Sequence, residues 1–324
     1  MKNDSKTFHS FSELSNDTKR DYCELKKPLS FKHQIDKLTS HKLIIDDPNF
    51  AISVLEKVNY YRFTGYALSF RKDDNSGDFI LGTTFNHIYE LYCFDKELRA
   101  LLFKYIDIVE AYYRTQIAYG FAMNKNTAPP YDQHYCRDNF YNKKGYDKVF
   151  ESLIKEKDIH NADSLIVKHH NEKYDGKMPI WVIVELLSFS NLSKLYSAMY
   201  ESEQSSIAGR INVGHVTLKN HLHCLSILRN KCAHGARLYD KKFNFKGRFN
   251  RDFLRKYPEV KKDSLFAYIL ILQKRLPSDK NKLDLSNELC SLVKQYEKFL
   301  HLNKIGFPEN YKPILFFSDK NANL

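Results

Sequence analysis

The feature that most limits the fold is an apolar stripe of heptad spacing that begins near residue 84 and continues to about residue 119. Thr84 is a suitable N-cap for a helix that starts there. The apolar positions of the stripe are Ile88, Leu91, Leu98, Leu102, Tyr105, Val109, Tyr112 and Tyr119. This spacing predicts one long helix. Since Gly and Pro are also sparse, at 11 and 9 of 324 residues, the sequence predicts an all-α helical bundle.

Turn residues and changes in polarity divide the rest of the chain. Pro179 opens an apolar segment that predicts a helix from Trp181 to Met199. Another helix is predicted from Val216 to Ala233, with Gly235 as its C′ residue. The predicted organisation is a flexible tail (1–26), a small N-terminal helical region (27–82), a helical domain (83–305) with an inserted excursion (about 124–178) and a basic segment (about 239–262), and a C-terminal tail (306–324).

The overall charge and the cysteine pattern bound the function class. Lys and Arg number 51 against 39 Asp and Glu, a net charge of +12, so the surface is expected to attract polyanions, nucleic acid above all. Charge alone does not identify the polyanion. The six cysteines are far apart and form no C-x-x-C pair, which predicts neither a zinc site nor a disulfide framework. A polar N-terminus and the absence of a long apolar run predict a cytoplasmic protein with no membrane contact.

Two acidic and basic pairs interrupt the long apolar stripe. Asp95 is followed by Arg99, and Glu110 by Arg114, in each case with a spacing of four. Such pairs are ordinary helix-face ion pairs, each worth about 0.3 to 0.5 kcal/mol. The alternative is that Glu110 and Arg114 border an active site.

The most informative short segment is Arg229-Asn230-Lys231-Cys232-Ala233-His234. A guanidinium holds a phosphate through paired N–H donors, and histidine alone titrates near neutral pH without help. Arg229, Asn230 and His234 therefore suit phosphodiester cleavage without a metal ion or other cofactor, although this spacing is weak evidence by itself. If one chain acts alone, His221 or His223 is the first candidate for a second proton-transfer group.

The basic segment that follows mixes cations with aromatic residues. Six cations are predicted to bind RNA: Lys241, Lys242, Lys246, Arg248, Arg251 and Arg255. The interleaved aromatics are Tyr239, Phe243, Phe245, Phe249, Phe253 and Tyr257. Such a mixture is used to neutralise a phosphate backbone and to stack unpaired bases. The alternative is a basic loop whose aromatics pack against the core.

Several segments together resemble the abortive-infection proteins of the AbiD/AbiF type, within the HEPN superfamily. These segments are Lys27-Pro28, Asn59 to Tyr66, Phe94 to Arg99, Pro179 to Trp181, Glu185 to Phe189, and Arg229 to His234. Their order and spacing are far more specific than the Arg-to-His motif alone. One departure is visible at Ser190, where related proteins have Gly.

The resemblance implies a HEPN-like bundle whose Arg-Asn-x-x-x-His motif is an RNase signature, filled here by Arg229, Asn230 and His234. It also implies a phage-defence or toxin–antitoxin role, regulated by a small RNA or an antitoxin protein. We expect a metal-independent endoribonuclease, and a homodimer, because one motif supplies a single histidine. The alternative is a non-catalytic regulator that holds a small RNA on the same basic surface.

Overall fold

The computed structural model describes residues 25–74, 76–160 and 164–317. The predicted flexible tail, 1–26, lies outside these ranges up to residue 24. The described residues form α-helices and short 3-10 turns, with no β-strand among them, so the predicted all-α class is confirmed. The helices are α1 Phe31–Ser40, α2 Pro48–Leu55, α3 Tyr60–Ala67, α4 Phe85–Lys125, α5 Lys143–His160, α6 Leu165–Tyr174, α7 Ile180–Leu186, α8 Phe189–Ala198, α9 Glu201–Gly209, α10 His215–Ala233, α11 Arg251–Lys256, α12 Leu265–Arg275, α13 Asp279–Gln295 and α14 Tyr311–Phe317.

Helix α4 is the central element of the bundle, as the heptad stripe predicts. Its N-cap is Thr84, whose side-chain oxygen accepts a hydrogen bond from the amide of His87 at 3.1 Å. From Ile88 to Val109 the apolar stripe is buried, whereas Tyr112 is partly buried and Tyr119 is exposed. Helix α4 packs against α3, α7, α9, α10, α12 and α13. Gly120 lets α9 approach closely, because a Cβ at this position would collide with the side chain of Ile207. The long helix therefore fixes where the later helices lie.

The predicted single helix from Trp181 to Met199 is wrong in one respect, because it is two helices. Leu187 is extended, with φ −80° and ψ 138°. Ser188 then caps α8, and its hydroxyl accepts a hydrogen bond from the amide of Asn191 at 3.2 Å. A serine that satisfies a free helical N–H favours a new helix start over a continuous helix.

Residues of the predicted excursion and of the predicted C-terminal tail contribute to the core. Helix α5, within the predicted excursion 124–178, packs along α8 and buries Val149. In the predicted C-terminal tail, residues 306–317 are ordered, and Ile314 and Leu315 are fully buried. Packing of these side chains removes apolar surface from water, which stabilises the bundle. Among the described residues, no helix combines the length and apolar character needed to cross a membrane.

Candidate active site

The candidate motif lies at the C-terminal end of α10. His234 is the C-cap residue, and Gly235 follows in the left-handed conformation with φ 63°. The amide of Ala236 donates to the carbonyl of Lys231 at 2.9 Å, and that of Gly235 to the carbonyl of Cys232 at 3.2 Å. This pair of bonds is a Schellman motif, and it confirms the predicted C′ role of Gly235. The helix therefore stops directly after the motif.

Arg229 belongs to a charged cluster between α10 and α4. Its Nε lies 3.4 Å from a carboxylate oxygen of Glu110. The other oxygen of Glu110 is paired with Arg114, which also donates to the carbonyl of Val184. The structure thus brings Arg229 together with Glu110 and Arg114, the two residues expected to border a site. Two cations share one buried carboxylate, so the cluster carries a net positive charge at the motif.

Asn230 is held from the opposite direction, by α8. Its side-chain amide donates to the hydroxyl of Ser190 at 3.0 Å. A glycine at residue 190 has no hydroxyl to accept this hydrogen bond. Ser190 is therefore in direct contact with the motif, and it fixes the orientation of the Asn230 side chain.

His234 differs from Arg229 and Asn230 because its side chain is exposed and makes no hydrogen bond or ion pair among the described residues. Its backbone amide donates to the carbonyl of Asn230 at 3.0 Å, and its side chain faces solvent. Within the described part of the chain, the imidazole has no hydrogen-bond partner and makes no side-chain bond to Arg229. The imidazole is therefore free to bind a ligand, while Arg229 remains accessible with 29% of its side chain exposed.

The segment immediately after His234 is anchored residue by residue to α3 and α4. Arg62 donates to the carbonyl of Gly235 at 2.9 Å, and Arg99 donates to that of Ala236 at 3.4 Å. The side chain of Arg237 reaches back to the carbonyl of Gly65. These bonds cross more than 130 positions of sequence, so they hold the end of α10 in one place.

Asp95 completes this anchor from within the core. Its carboxylate is fully buried and accepts hydrogen bonds from the amides of Leu238 and Tyr239, the latter at 2.8 Å. It also accepts one from the hydroxyl of Tyr66 at 2.6 Å and is ion-paired with Arg99. Burial raises the pKa of the Asp95 carboxyl, and these donors oppose that rise. The expectation of an ordinary exposed ion pair is wrong here, because both partners lie in the core.

The anchor joins three segments that are distant from one another in the sequence. Arg62, Gly65 and Tyr66 lie in the stretch 59–66, while Asp95 and Arg99 lie in 94–99. Both stretches contact residues 235–239, directly after the motif. A charged residue within an apolar stripe was the sequence signal for Asp95, whereas nothing in the sequence alone links Arg62 to Gly235.

His221 and His223, the two candidates for a second proton-transfer group, have different surroundings. His221 is completely buried, and its Nε2 lies 2.7 Å from the carbonyl of Arg248. Burial lowers the pKa of His221 to about 3. Partial burial also lowers the pKa of His223, whose ring packs edge-on against Phe245. His221 is thus unsuited to proton transfer near neutral pH.

Before α11, residues 241–250 of the basic segment form an extended strap between α10 and α12. From residue 243 to 249, side chains alternate between the core and solvent, so that Lys246 and Arg248 face outward. Asn220 holds this strap, because its side chain donates to the carbonyl of Lys246 and accepts from the amide of Arg248. The other expected RNA-binding cations, Lys241, Lys242, Arg251 and Arg255, are also exposed. In the described residues, Arg255 is the member of this set that is ion-paired, with Asp252 at 3.2 Å.

The aromatics of the basic segment do not share this exposure. Tyr239, Phe243, Phe249 and Phe253 are buried, at 0 to 8% exposed. For these four residues the core-packing alternative is correct, and they are unavailable to stack bases. In the described ranges, no group of three or more His, Cys, Asp or Glu side chains is arranged to hold a metal ion.

Comparison with known protein families places much of this chain in a described family. The family described as Abi-like protein matches residues 53–240, which include α3, α4 and the whole of α10 with its anchor. No match was found among curated proteins or among solved structures. The matched range is more than half of the chain and supports an abortive-infection role in phage defence. The chain belongs to the Abi-like protein family.

Proposed function

We propose that this Abi-like protein is a metal-independent endoribonuclease of the HEPN superfamily, acting in abortive infection or as a toxin under an antitoxin RNA or protein. One observation carries the proposal. His234 is held at an anchored helix end with a free imidazole, one turn from Asn230 and five residues from Arg229, which belongs to the cationic cluster with Arg114. A fixed cation next to a titratable group is the arrangement that phosphodiester cleavage needs.

In the proposed reaction, the 2′-OH of a ribonucleotide attacks the adjacent phosphorus while the bond from phosphorus to the 5′-oxygen breaks. The products are a 2′,3′-cyclic phosphate and a 5′-OH end. His234 takes the proton from the 2′-OH or gives one to the leaving 5′-oxygen, worth roughly 10² to 10⁴ in rate. Arg229 stabilises charge on the phosphoryl oxygens. Asn230, oriented by Ser190, donates to the phosphate or to His234.

Glu110 has a supporting role in this proposal. Its carboxylate lies between Arg114 and Arg229, so it limits the rotamers of the Arg229 guanidinium. An ordered guanidinium loses less conformational entropy when it binds a phosphate. Glu110 and Arg114 therefore act as positioning residues for Arg229.

The proposal includes a homodimer. Transesterification uses both a base and an acid, and each chain has one motif histidine. Buried His221 does not supply the second group in the same chain, and His223 is eleven residues from His234, or about 16 Å along the helix axis. Two chains joined near their motifs would supply both groups.

The test uses purified protein and mixed cellular RNA in buffer with EDTA. We expect cleavage by the natural chain and none by His234→Ala. His169→Ala is the matched control, because His169 is another exposed histidine, on α6. Cleavage by His234→Ala at the rate of the natural chain would exclude the proposed role of His234. RNA binding without any cleavage would instead favour the non-catalytic regulator.

A further inference from the structure

A cleft of about 840 Å³ opens beside the first turns of α10, away from the motif. Helix α10, the strap, the start of α9 and the loop before α5 all contribute to its walls. Its principal side chains are Tyr141, Tyr200, Lys219, Asn220, His223 and Phe245. This volume lies in the range of pockets that hold small organic groups.

The walls of the cleft are aromatic, and part of that surface is exposed. Tyr141 is 75% exposed and its ring lies 6.0 Å from that of Tyr200. The rings of His223 and Phe245, which also line the cleft, meet edge to face with centroids 4.5 Å apart. These residues differ from the buried aromatics of the strap in that they line open space. They offer ring faces to a planar ligand.

The charge around the cleft is mainly positive. Lys219 lines it with an exposed ammonium group, and the strap presents Lys246 and Arg248 next to it through their backbone bonds to Asn220. The carboxylate in the cleft, Glu201, lies 3.4 Å from His215. Cations that flank aromatic walls match a ligand with planar rings on an anionic backbone.

The cleft and the motif lie on one face of α10. Residues spaced alternately by three and four share a helix face. The residues of this face are Asn220, His223, Ile227, Asn230 and His234. None of them is fully buried, so a row of partly exposed residues runs along the helix from the cleft to His234. Its length of about 16 Å corresponds to no more than about five stacked nucleotides.

We propose that this cleft is a base-binding subsite for single-stranded RNA, which holds an unpaired base between Tyr141 and the His223–Phe245 pair. A strand bound there passes along the exposed face of α10 and places a phosphate at His234. The inference rests on the proposed function for the role of His234 in cleavage, whereas the cleft itself is tested by RNA binding alone. It assigns recognition of the unpaired base to the N-terminal half of α10 and cleavage to the C-terminal end.

The test measures binding of a fluorescein-labelled 12-nucleotide single-stranded RNA in EDTA, with His234→Ala in every protein so that the RNA stays intact. Adding Tyr141→Ala or His223→Ala should weaken binding by about 5- to 150-fold, the range for one base stacked on an aromatic ring. Tyr131→Ala is the matched control, since Tyr131 is 58% exposed and does not line the cleft. Tyr141 is largely exposed, so its loss should leave the fold intact.

The position of the base is tested with 4-thiouridine placed at successive nucleotides of the same RNA. We expect one or two nucleotides, no more than about five from the cut site of the natural chain, to cross-link to the peptides that contain Tyr141 or His223. Equal affinity of the Tyr141→Ala, His223→Ala and Tyr131→Ala proteins, or cross-links confined to other peptides, would overturn the subsite. Binding through the cleft without cleavage by the natural chain would refute the proposed catalysis and leave the subsite standing.

Discussion

The buried carboxylate of Asp95 should control both the stability of the bundle and the position of the motif. Replacing it by Ala removes the counter-ion of Arg99, whose side chain is 8% exposed, and the acceptor for the amides of Leu238 and Tyr239. Removing one partner of a buried ion pair costs about 3 to 5 kcal/mol, because the other charge stays in the core without compensation. We expect the free energy of unfolding to fall by that amount.

The measurement combines urea unfolding followed by circular dichroism with hydrogen exchange of single amides. The amides of Leu238 and Tyr239 should exchange faster in Asp95→Asn, even under conditions where the bundle remains folded, because an amide side chain offers a single oxygen and no charge. Asp107→Asn is the control, since Asp107 is an exposed carboxylate on the same helix. The account is contradicted if Asp95→Ala lowers the free energy of unfolding by less than about 1 kcal/mol and both amides stay protected in Asp95→Asn. That result would show that the Asp95 carboxylate does not anchor residues 235–239.

Three other outcomes follow from the geometry. Ser190→Gly and Ser190→Ala should lower RNA cleavage to a similar extent, several-fold, because both remove the hydroxyl that orients the Asn230 amide. Activity equal to that of the natural chain would remove Ser190 from the site. The unfolded chain protonates His221 below about pH 6.5 and the folded chain only near pH 3, so the free energy of unfolding should fall with decreasing pH across this window, by at most about 1.4 kcal/mol per unit from this group. His221→Gln, which keeps a donor for the Arg248 carbonyl, should flatten that fall, and an unchanged slope would show that His221 is not the responsible group. Four cations of the strap region are replaced by Gln in the last variant: Lys241, Lys242, Lys246 and Arg248. The affinity of this variant for RNA should depend less on salt, because fewer counterions are released on binding. An unchanged slope of log affinity against log salt would show that RNA binds elsewhere.

The sequence predicted the elements whose signals are local. Thr84 and the heptad stripe define α4, and Gly235 marks the end of α10 because a left-handed residue there favours glycine. The break at Ser188 was missed, since an apolar run of residues continues on both sides of it. Ser188 is the local sign of the break, but it is ambiguous, because a serine caps a helix as readily as it occurs within one.

The site was less predictable than the fold, because its contacts join residues distant in sequence. The motif identified Arg229, Asn230 and His234, and the spacing of four identified Glu110 and Arg114. No local pattern shows that Asn230 meets Ser190 or that Arg62 holds the carbonyl of Gly235. The alternation of cations and aromatics in the basic segment fits both an RNA-binding surface and a loop packed on the core. Only the burial of each side chain in the structure distinguishes the exposed cations from the buried rings.

The central claim is that His234 and its motif cleave RNA by attack of the 2′-OH. The most direct test incubates the natural chain in EDTA with a short single-stranded RNA and with the same RNA carrying one 2′-deoxyribonucleotide at the cut site, and identifies the product ends by mass spectrometry. We predict a 2′,3′-cyclic phosphate and a 5′-OH from the all-RNA strand, and no cut at the deoxy position. Products with a 3′-OH and a 5′-phosphate, or equal cleavage of both strands, would contradict the mechanism.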